Sequence, residues 1–269
     1  MSSALRPRIL AAVVRREYLI ARSYRLLLAS EFLFGLLNLA LYFYISRVIE
    51  PGRGADLGGA PSYFAFAAVG VAFGVVFQAA SGALARRVRE EQLTGTLEAL
   101  VAQPVASTEI ALGLVGLPFL FAMVRVAFYL LAADLLLGLD LSRADPLGFV
   151  AVLLSAGTAL TGFGIALGAL VLLVKRATAL VGLLALATTF LSGAYFPLSV
   201  LPPWLEALAK LVPIRFAFDG GRAALFQGGG WADDVVALLL FSAAALPLSL
   251  WLFSRALRLT KARGTLSEY

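Results

Sequence analysis

The side chains that could do chemistry in this sequence are few and unevenly placed. Residues 86–109, RRVREEQLTGTLEALVAQPVASTE, set Arg86, Arg87 and Arg89 against Glu90, Glu91, Glu98 and Glu109, with Thr94 and Thr96 on either side of Gly95. A mixed-charge run of this kind can make charge-assisted hydrogen bonds to a protein surface of complementary pattern, and it is longer than a plain connector requires. Asn38, Arg125 and Asp134 stand inside apolar stretches. An ionised group there costs about 2.5–3.5 kcal/mol on insertion scales, so it needs a partner or water. Arg125 and Asp134 would point to roughly opposite sides of one helix and cannot pair with each other. Arg125 is therefore expected to meet an acid or a carbonyl on a neighbouring helix. Glu31 begins an apolar run of its own.

Missing residue types exclude more. The sequence has no Cys and no His, so disulfides, thiolate nucleophiles, imidazole metal sites, Ser-His-Asp triads and His proton shuttles cannot be built. No cofactor or metal is expected in this chain. A carboxylate pair from Asp134 and Asp140 survives on paper, but the two lie at one helix end, whereas intramembrane aspartyl dyads draw on two spans. No GxxxxGK[ST] phosphate loop is present, so the chain is not expected to hydrolyse ATP by itself. Residues 162–168, GFGIALG, sit within an apolar stretch. Gly164 with Gly168, and Gly70 with Gly74, read as small residues that let helices approach closely in lipid.

These residues must be positioned by membrane-spanning helices. Of 269 residues, 61% are hydrophobic and 14% charged, against about 25% charged in soluble domains. So few charges could not cover a water-soluble chain of this size, and lipid is the remaining solvent. The expected fold is all-α and polytopic. Six stretches approach or exceed the length of a span: 30–48, 63–85, 111–137, 147–174, 177–196 and 235–255. Pro118 and Pro247 are candidate kinks. Lys and Arg cluster before the first span, between the second and third, between the fourth and fifth, and after the sixth. The opposite side holds Arg47, Arg53, Arg143, Lys210, Arg215 and Arg222. That bias places both termini in the cytoplasm, and the net charge of +6 fits it without implying nucleic acid. The first apolar run lies about thirty residues in, with no small-residue cleavage site after it, so no cleavable leader is expected.

Residues 1–29 read as a cytoplasmic amphipathic connecting helix. Between residues 7 and 29, Arg8, Arg15, Arg22 and Arg25 share one side and Leu10, Val13, Ile20 and Leu27 the other. Glu17 falls on the apolar side, as a contact with another part of an assembly would require. Residues 30–255 form the six-helix domain and 256–269 a cytoplasmic tail. Residues 197–230 carry Pro197, Pro202, Pro203 and Pro213 around two short amphipathic stretches, 204–211 and 216–226. The prolines are expected to leave carbonyls unpartnered, so this segment can sit at membrane depth only where protein or a wet cavity satisfies them.

Two segments resemble one known family. Glu90-Glu91-Gln92-Leu93-Thr94-Gly95-Thr96-Leu97-Glu98, followed by Gln103-Pro104-Val105-Ala106, is similar to the E-x-x-x-G-T-L-E … P-V-S segment of type-2 ABC exporter permeases. Phe190–Leu225, FLSGAYFPLSVLPPWLEALAKLVPIRFAFDGGRAAL, resembles that family's S-G-x-x-F-P-x-x-x-L-P-x-W-L … R signature, ending here at Arg222. Arg16-Glu17 … Arg22 matches its connecting helix, while Gly113-Leu114 departs from the Gly-Lys found in many members. The resemblance implies a transmembrane subunit of an ATP-driven exporter. Glu90, Glu91, Gly95, Thr96, Glu98, Glu17 and Arg22 would form the cytoplasmic coupling region. Pro197, Pro202, Pro203, Trp204, Pro213 and Arg222 would belong to an outward-facing re-entrant pair that gates the path. It further implies two copies of an ATP-binding cassette subunit that hold ATP and Mg, a second copy of this permease or a related one, and a lipid surround in the cell (inner) membrane. An amphipathic drug, a lipid or a lipid-linked glycan would be the cargo. The competing class is a membrane enzyme or scaffold that works without an ATPase.

Overall fold

The computed structural model describes residues 14–16, 18–19, 25–49, 57–96, 102, 106–174 and 177–262. Among them there are helices and turns but no strand. The helices are α1 (Arg25–Val48), α2 (Tyr63–Leu93), α3 (Ser107–Leu137), α4 (Pro146–Leu173), α5 (Ala177–Leu191), α6 (Pro203–Leu211), α7 (Arg215–Arg222) and α8 (Ala232–Ala262). A 3-10 turn, Leu198–Val200, precedes α6, and a π-helical turn, Ala223–Gln227, continues α7.

Five helices, α1 to α4 and α8, are long and apolar enough to cross a membrane. The expected fifth span is shorter. Helix α5 has 15 residues, which at 1.5 Å per residue reach roughly 22 Å of a hydrocarbon core about 30 Å thick. Its chain then leaves the helix through a turn at Ser192 and Gly193. Helix α1 begins at Arg25, inside the stretch read as the connecting helix, and α8 runs past residue 255 to Ala262. Pro118 and Pro247 lie within unbroken helices.

Helix α2 is the centre of the bundle. Of its apolar window Tyr63–Ala80, 83% is buried, against 11% for α1 and 17% for α8. The cause is side-chain size: Ala65, Ala67, Ala68, Gly70, Ala72 and Gly74 let α1, α3, α4, α5 and α7 all reach its backbone. The most extensive helix pairing is α4 with α8. There Gly162 faces the Leu246 amide, and Gly168 receives Leu84 of α2; a Cβ at Gly168 would stand 2.8 Å from that side chain. The exposed leucines and phenylalanines of α1 and α8 are what a lipid-facing surface requires, since hydrocarbon is as apolar as they are.

Local signals set the helix ends. Ser62 accepts the Ala65 amide to open α2. Glu109 reaches back to the Ala106 amide to open α3; alanine has no hydroxyl to return the bond. Gly138, at φ +71°, closes α3 while the Leu139 amide reaches the Ala133 carbonyl. Asp145 opens α4, accepting from the Leu147 and Gly148 amides at 3.0 Å each, with Pro146 in the first turn. Its other oxygen takes the Trp231 indole N–H at 2.9 Å and so ties the start of α4 to the start of α8.

Donation from the Gly148 amide, then from Trp231, holds the Asp145 carboxyl below its ordinary 3.8. A depressed carboxyl pKa contributes stability that is complete above the ordinary value and is lost as pH falls through the folded value. The melting-temperature gap between the wild type and Asp145→Asn should therefore be constant above pH 3.8 and shrink below it. A gap unchanged down to pH 2 would show that the ionised form contributes nothing.

Candidate functional site

Three clusters hold most of the described residues singled out in the sequence. The first is where α2 meets α3. Residues 86–93 form the last two turns of α2 and not a separate loop. The helix closes with the Thr94 amide and hydroxyl both on the Glu90 carbonyl, at 2.9 and 2.8 Å. Gly95 follows at φ +71°, a conformation that side chains other than glycine resist. Its amide returns to the Gln92 carbonyl at 3.1 Å.

Adjacent glutamates here have different environments. Glu90 is exposed and pairs with Arg87 at 2.8 Å. Glu91 is buried, and its carboxylate accepts from Arg16 at 2.5 Å and from the Thr96 hydroxyl. The Arg16–Glu91 pair joins the residues ahead of α1 to the end of α2, and Val14 lies beside Gly116 of α3. Sequence reasoning did not find that pair, because nothing in either segment marks a partner 75 positions away. Glu17, Arg22 and Glu98 lie outside the described residues.

The second cluster lies between α1, α2 and α3. Arg125 meets Glu31 of α1 at 2.8 Å, so the expected partner is an acid on another helix. The Tyr129 hydroxyl donates to the Glu31 carbonyl at 2.8 Å, and its ring fills the place where Gly35 has no side chain. Arg125, Glu31, Asn38, Gln78 and Tyr195 border a cavity of about 390 Å³. The Arg125 Nε has no hydrogen-bond partner among the described residues. Asp134 is not among the cavity's residues; it sits half-buried in the last turn of α3. Gln78 was missed in the sequence, although a lone amide in the apolar run of α2 was a legible signal.

The third cluster is the segment after α5. The two expected short helices are present as α6 and α7, but they are unequal. Helix α6 is largely exposed, with Trp204 at its start and a Glu206–Lys210 pair at 2.6 Å. Helix α7 is sunk among α2, α4 and α8. The prolines' own carbonyls are satisfied locally, and the expected need for outside partners falls on carbonyls that precede Pro197. The carbonyls of Pro197, Pro202 and Pro213 each accept an amide three or four residues on, because proline starts a helical turn as readily as it breaks one.

The carbonyls that do need outside help are those of Gly193 and Ala194, and Arg222 supplies it. Its Nη2 donates to Gly193 O at 2.7 Å and to Ala194 O at 3.4 Å. The guanidinium lies 3.6 Å above the Phe66 ring, 3.5 Å from Asp219, and only 1% of the residue is exposed. Arg222 is thus a buried strut behind the short helices. Gly70 and Gly74 also differ from expectation: they admit this turn, not another helix. A Cβ on Gly70 would collide with the Ala194 carbonyl oxygen, while one on Gly74 would meet Tyr195 at an ordinary 3.5 Å.

Two measurements check these contacts. Gly70→Ala should lower the melting temperature sharply and Gly74→Ala hardly at all; equal effects would mean that both glycines merely thin the helix. In a double-mutant cycle, Arg125→Leu and Glu31→Leu should show a coupling of about 0.5–3 kcal/mol. Additive losses would reduce Arg125 to an independent side chain.

All three clusters fall within one matched region. Residues 9–226 match the ABC-2 type transporter family model. The linearmycin resistance permease protein LnrN of Bacillus subtilis (strain 168) is 24% identical over 159 residues, 58% of this chain. The match spans 41% of that relative's length. A multi-helix membrane bundle whose motifs and family match cover four-fifths of its length leaves one assignment: this chain belongs to the ABC-2 type transporter family, as a transmembrane subunit.

Proposed function

We propose that the chain is the permease of an ATP-driven exporter in the cell membrane, with both termini in the cytoplasm. It moves an amphipathic or lipid-like molecule out of the cytoplasm or the inner leaflet. Two copies, or one copy and a related permease, act with two ATP-binding subunits that hold ATP and Mg. The observation that carries this reading is the continuity of α2. One helix runs from the crowded apolar centre to a charged tip closed at Gly95 and clamped to Arg16. Force applied at that tip reaches the centre of the bundle without crossing a flexible joint. Exposed Glu90, Thr94 and Thr96 are available to a docking partner, whereas Glu91 is engaged in holding the tip together.

Coupling then requires that the ATP-binding subunits contact this tip differently in their two states. The excess of Lys and Arg at the same end supports a cytoplasmic location for it. The Bacillus subtilis relative is named a resistance permease, which supports outward movement of a harmful compound. The mostly apolar lining of the cavity between α2 and α5, and of another bordered by α4, α5, α7 and α8, supports amphipathic cargo over ions.

The test is a reconstituted complex of this chain with its ATP-binding subunit. Gly95→Pro forces φ to about −65° where the tip needs +71°, and Glu98→Lys reverses a charge in the same segment. Both variants should insert and assemble yet lose substrate-stimulated ATP hydrolysis and export. Gly95→Ala meets open space and carries only the backbone cost of about 1 kcal/mol, so it should retain most activity. Wild-type coupling in both Gly95→Pro and Glu98→Lys would remove the coupling assignment.

A further inference from the structure

Gln78 borders three cavities along α2, one of them very small. Of the larger two, one is the cavity at Arg125; the other, of about 630 Å³, opens between the charged half of α2 and α5. The second is the size of a small-molecule site. Its walls are apolar, from Phe77, Val171, Val181, Ala185 and Leu186, and its rim carries Arg86 and Arg89. Polarity is therefore segregated, with hydrocarbon-like walls below a cationic edge.

Arg86 is the informative side chain. Its guanidinium folds back along α2 onto Gly82, where any Cβ would overlap Nη1. The bare glycine gives the cation a place against the cleft. Among the described residues no carboxylate lies within ion-pair distance of Arg86, although Glu90 and Glu31 are near enough to act on its charge, and Glu90, at the same rim, is engaged by Arg87 at 2.8 Å. A guanidinium has five N–H donors in a fixed fork and accepts nothing, so the group that would satisfy it is an oxyanion. Further along α2 stands the Gln78 amide, and on α3, across the neighbouring cavity, stands Arg125, which is paired with Glu31 at 2.8 Å and whose Nε has no hydrogen-bond partner among the described residues. Arg86 thus marks the head-group end of the cleft, while the charge of Arg125 is already matched by Glu31. At this rim Arg86 and Arg89 outnumber Glu90, so an anionic head is favoured there over a neutral or cationic one.

We propose that the transported molecule is an anionic amphiphile, a hydrocarbon tail carrying a phosphate, sulfate or carboxylate head. Its tail lodges in the α2–α5 cleft with the head on Arg86. This assignment rests on the exporter reading above and names its cargo class.

The probe is radiolabelled octyl phosphate, bound to the full chain in maltoside micelles with empty micelles subtracted. Saturable binding is expected. Arg86→Gln should weaken it about tenfold and Arg86→Lys should recover part, as loss of a charge-assisted contact predicts. Octyl trimethylammonium should not compete. Equal binding by wild type and Arg86→Gln, or competition by the cationic amphiphile, overturns the inference. A second arm separates cargo from resident lipid, using the complex with its ATP-binding subunit in phosphatidylcholine nanodiscs. Octyl phosphate should stimulate ATP hydrolysis by the wild type and not by Arg86→Gln. Binding displaced by phosphatidylglycerol, with hydrolysis unchanged, would make the cleft a lipid site and end the cargo assignment. The exporter reading fails separately: Arg86-dependent binding by a chain that no ATP-binding subunit joins would overturn that reading, whereas charge-blind binding in a normally coupled complex overturns this inference alone.

Discussion

A membrane helix that stops short leaves backbone carbonyls in a medium that cannot hydrogen-bond them. Helix α5 stops at Leu191, and the chain turns at Gly193 with the carbonyls of residues 193–195 outside any helix. Arg222 answers the first two and the Tyr63 hydroxyl the third, at 3.1 Å. Placing a guanidinium where 1% of its residue meets solvent carries a desolvation cost. Two carbonyls, the Phe66 face and Asp219 at 3.5 Å offset it. Much else follows from that arrangement. Helix α7 is drawn into the bundle because it carries Arg222, α2 must be bare at Gly70 to admit the Ala194 oxygen, and α6 is left on the outside as the connector.

Helix α2 carries the consequences from one end of the molecule to the other. At the Arg222 end it supplies Phe66 and Gly70; at the other it ends in Glu90, Glu91 and the Gly95 turn. Between them it packs small residues against most of its neighbours and lines both of the larger cavities through Gln78. A displacement of its charged tip cannot be absorbed by loose side chains, since packed interiors transmit strain. The structure therefore joins a surface suited to docking with a buried polar strut through one rigid element.

Charged residues in this chain divide into two kinds. Arg222, Glu91 and the Arg125–Glu31 pair are engaged internally and hold segments far apart in the chain. Glu90, Arg86 and the Glu206–Lys210 pair of α6 stand at the surface, where exposed pairs contribute little to stability. A mutation in the first kind is read through folding, and one in the second through partners or cargo. The family match covers both kinds without distinguishing them.

Composition marked the chain as a membrane protein, because 14% charged residues cannot cover 269 residues in water, and apolar runs of about span length marked it as helical. Motif order pointed to the family, and local rules were legible where they are local: the Asp145-Pro146 opening of α4 and the Gly95 turn depend on neighbours a few positions away. The isolated charge at Arg125 announced a partner but not which one. Which glutamate is engaged, that Gly70 receives a carbonyl and not a helix, that the prolines start turns, and that Arg222 is a strut were decided by the tertiary structure. Each depends on a contact between segments tens of residues apart, and a sequence pattern read within one helix carries no record of what packs against it.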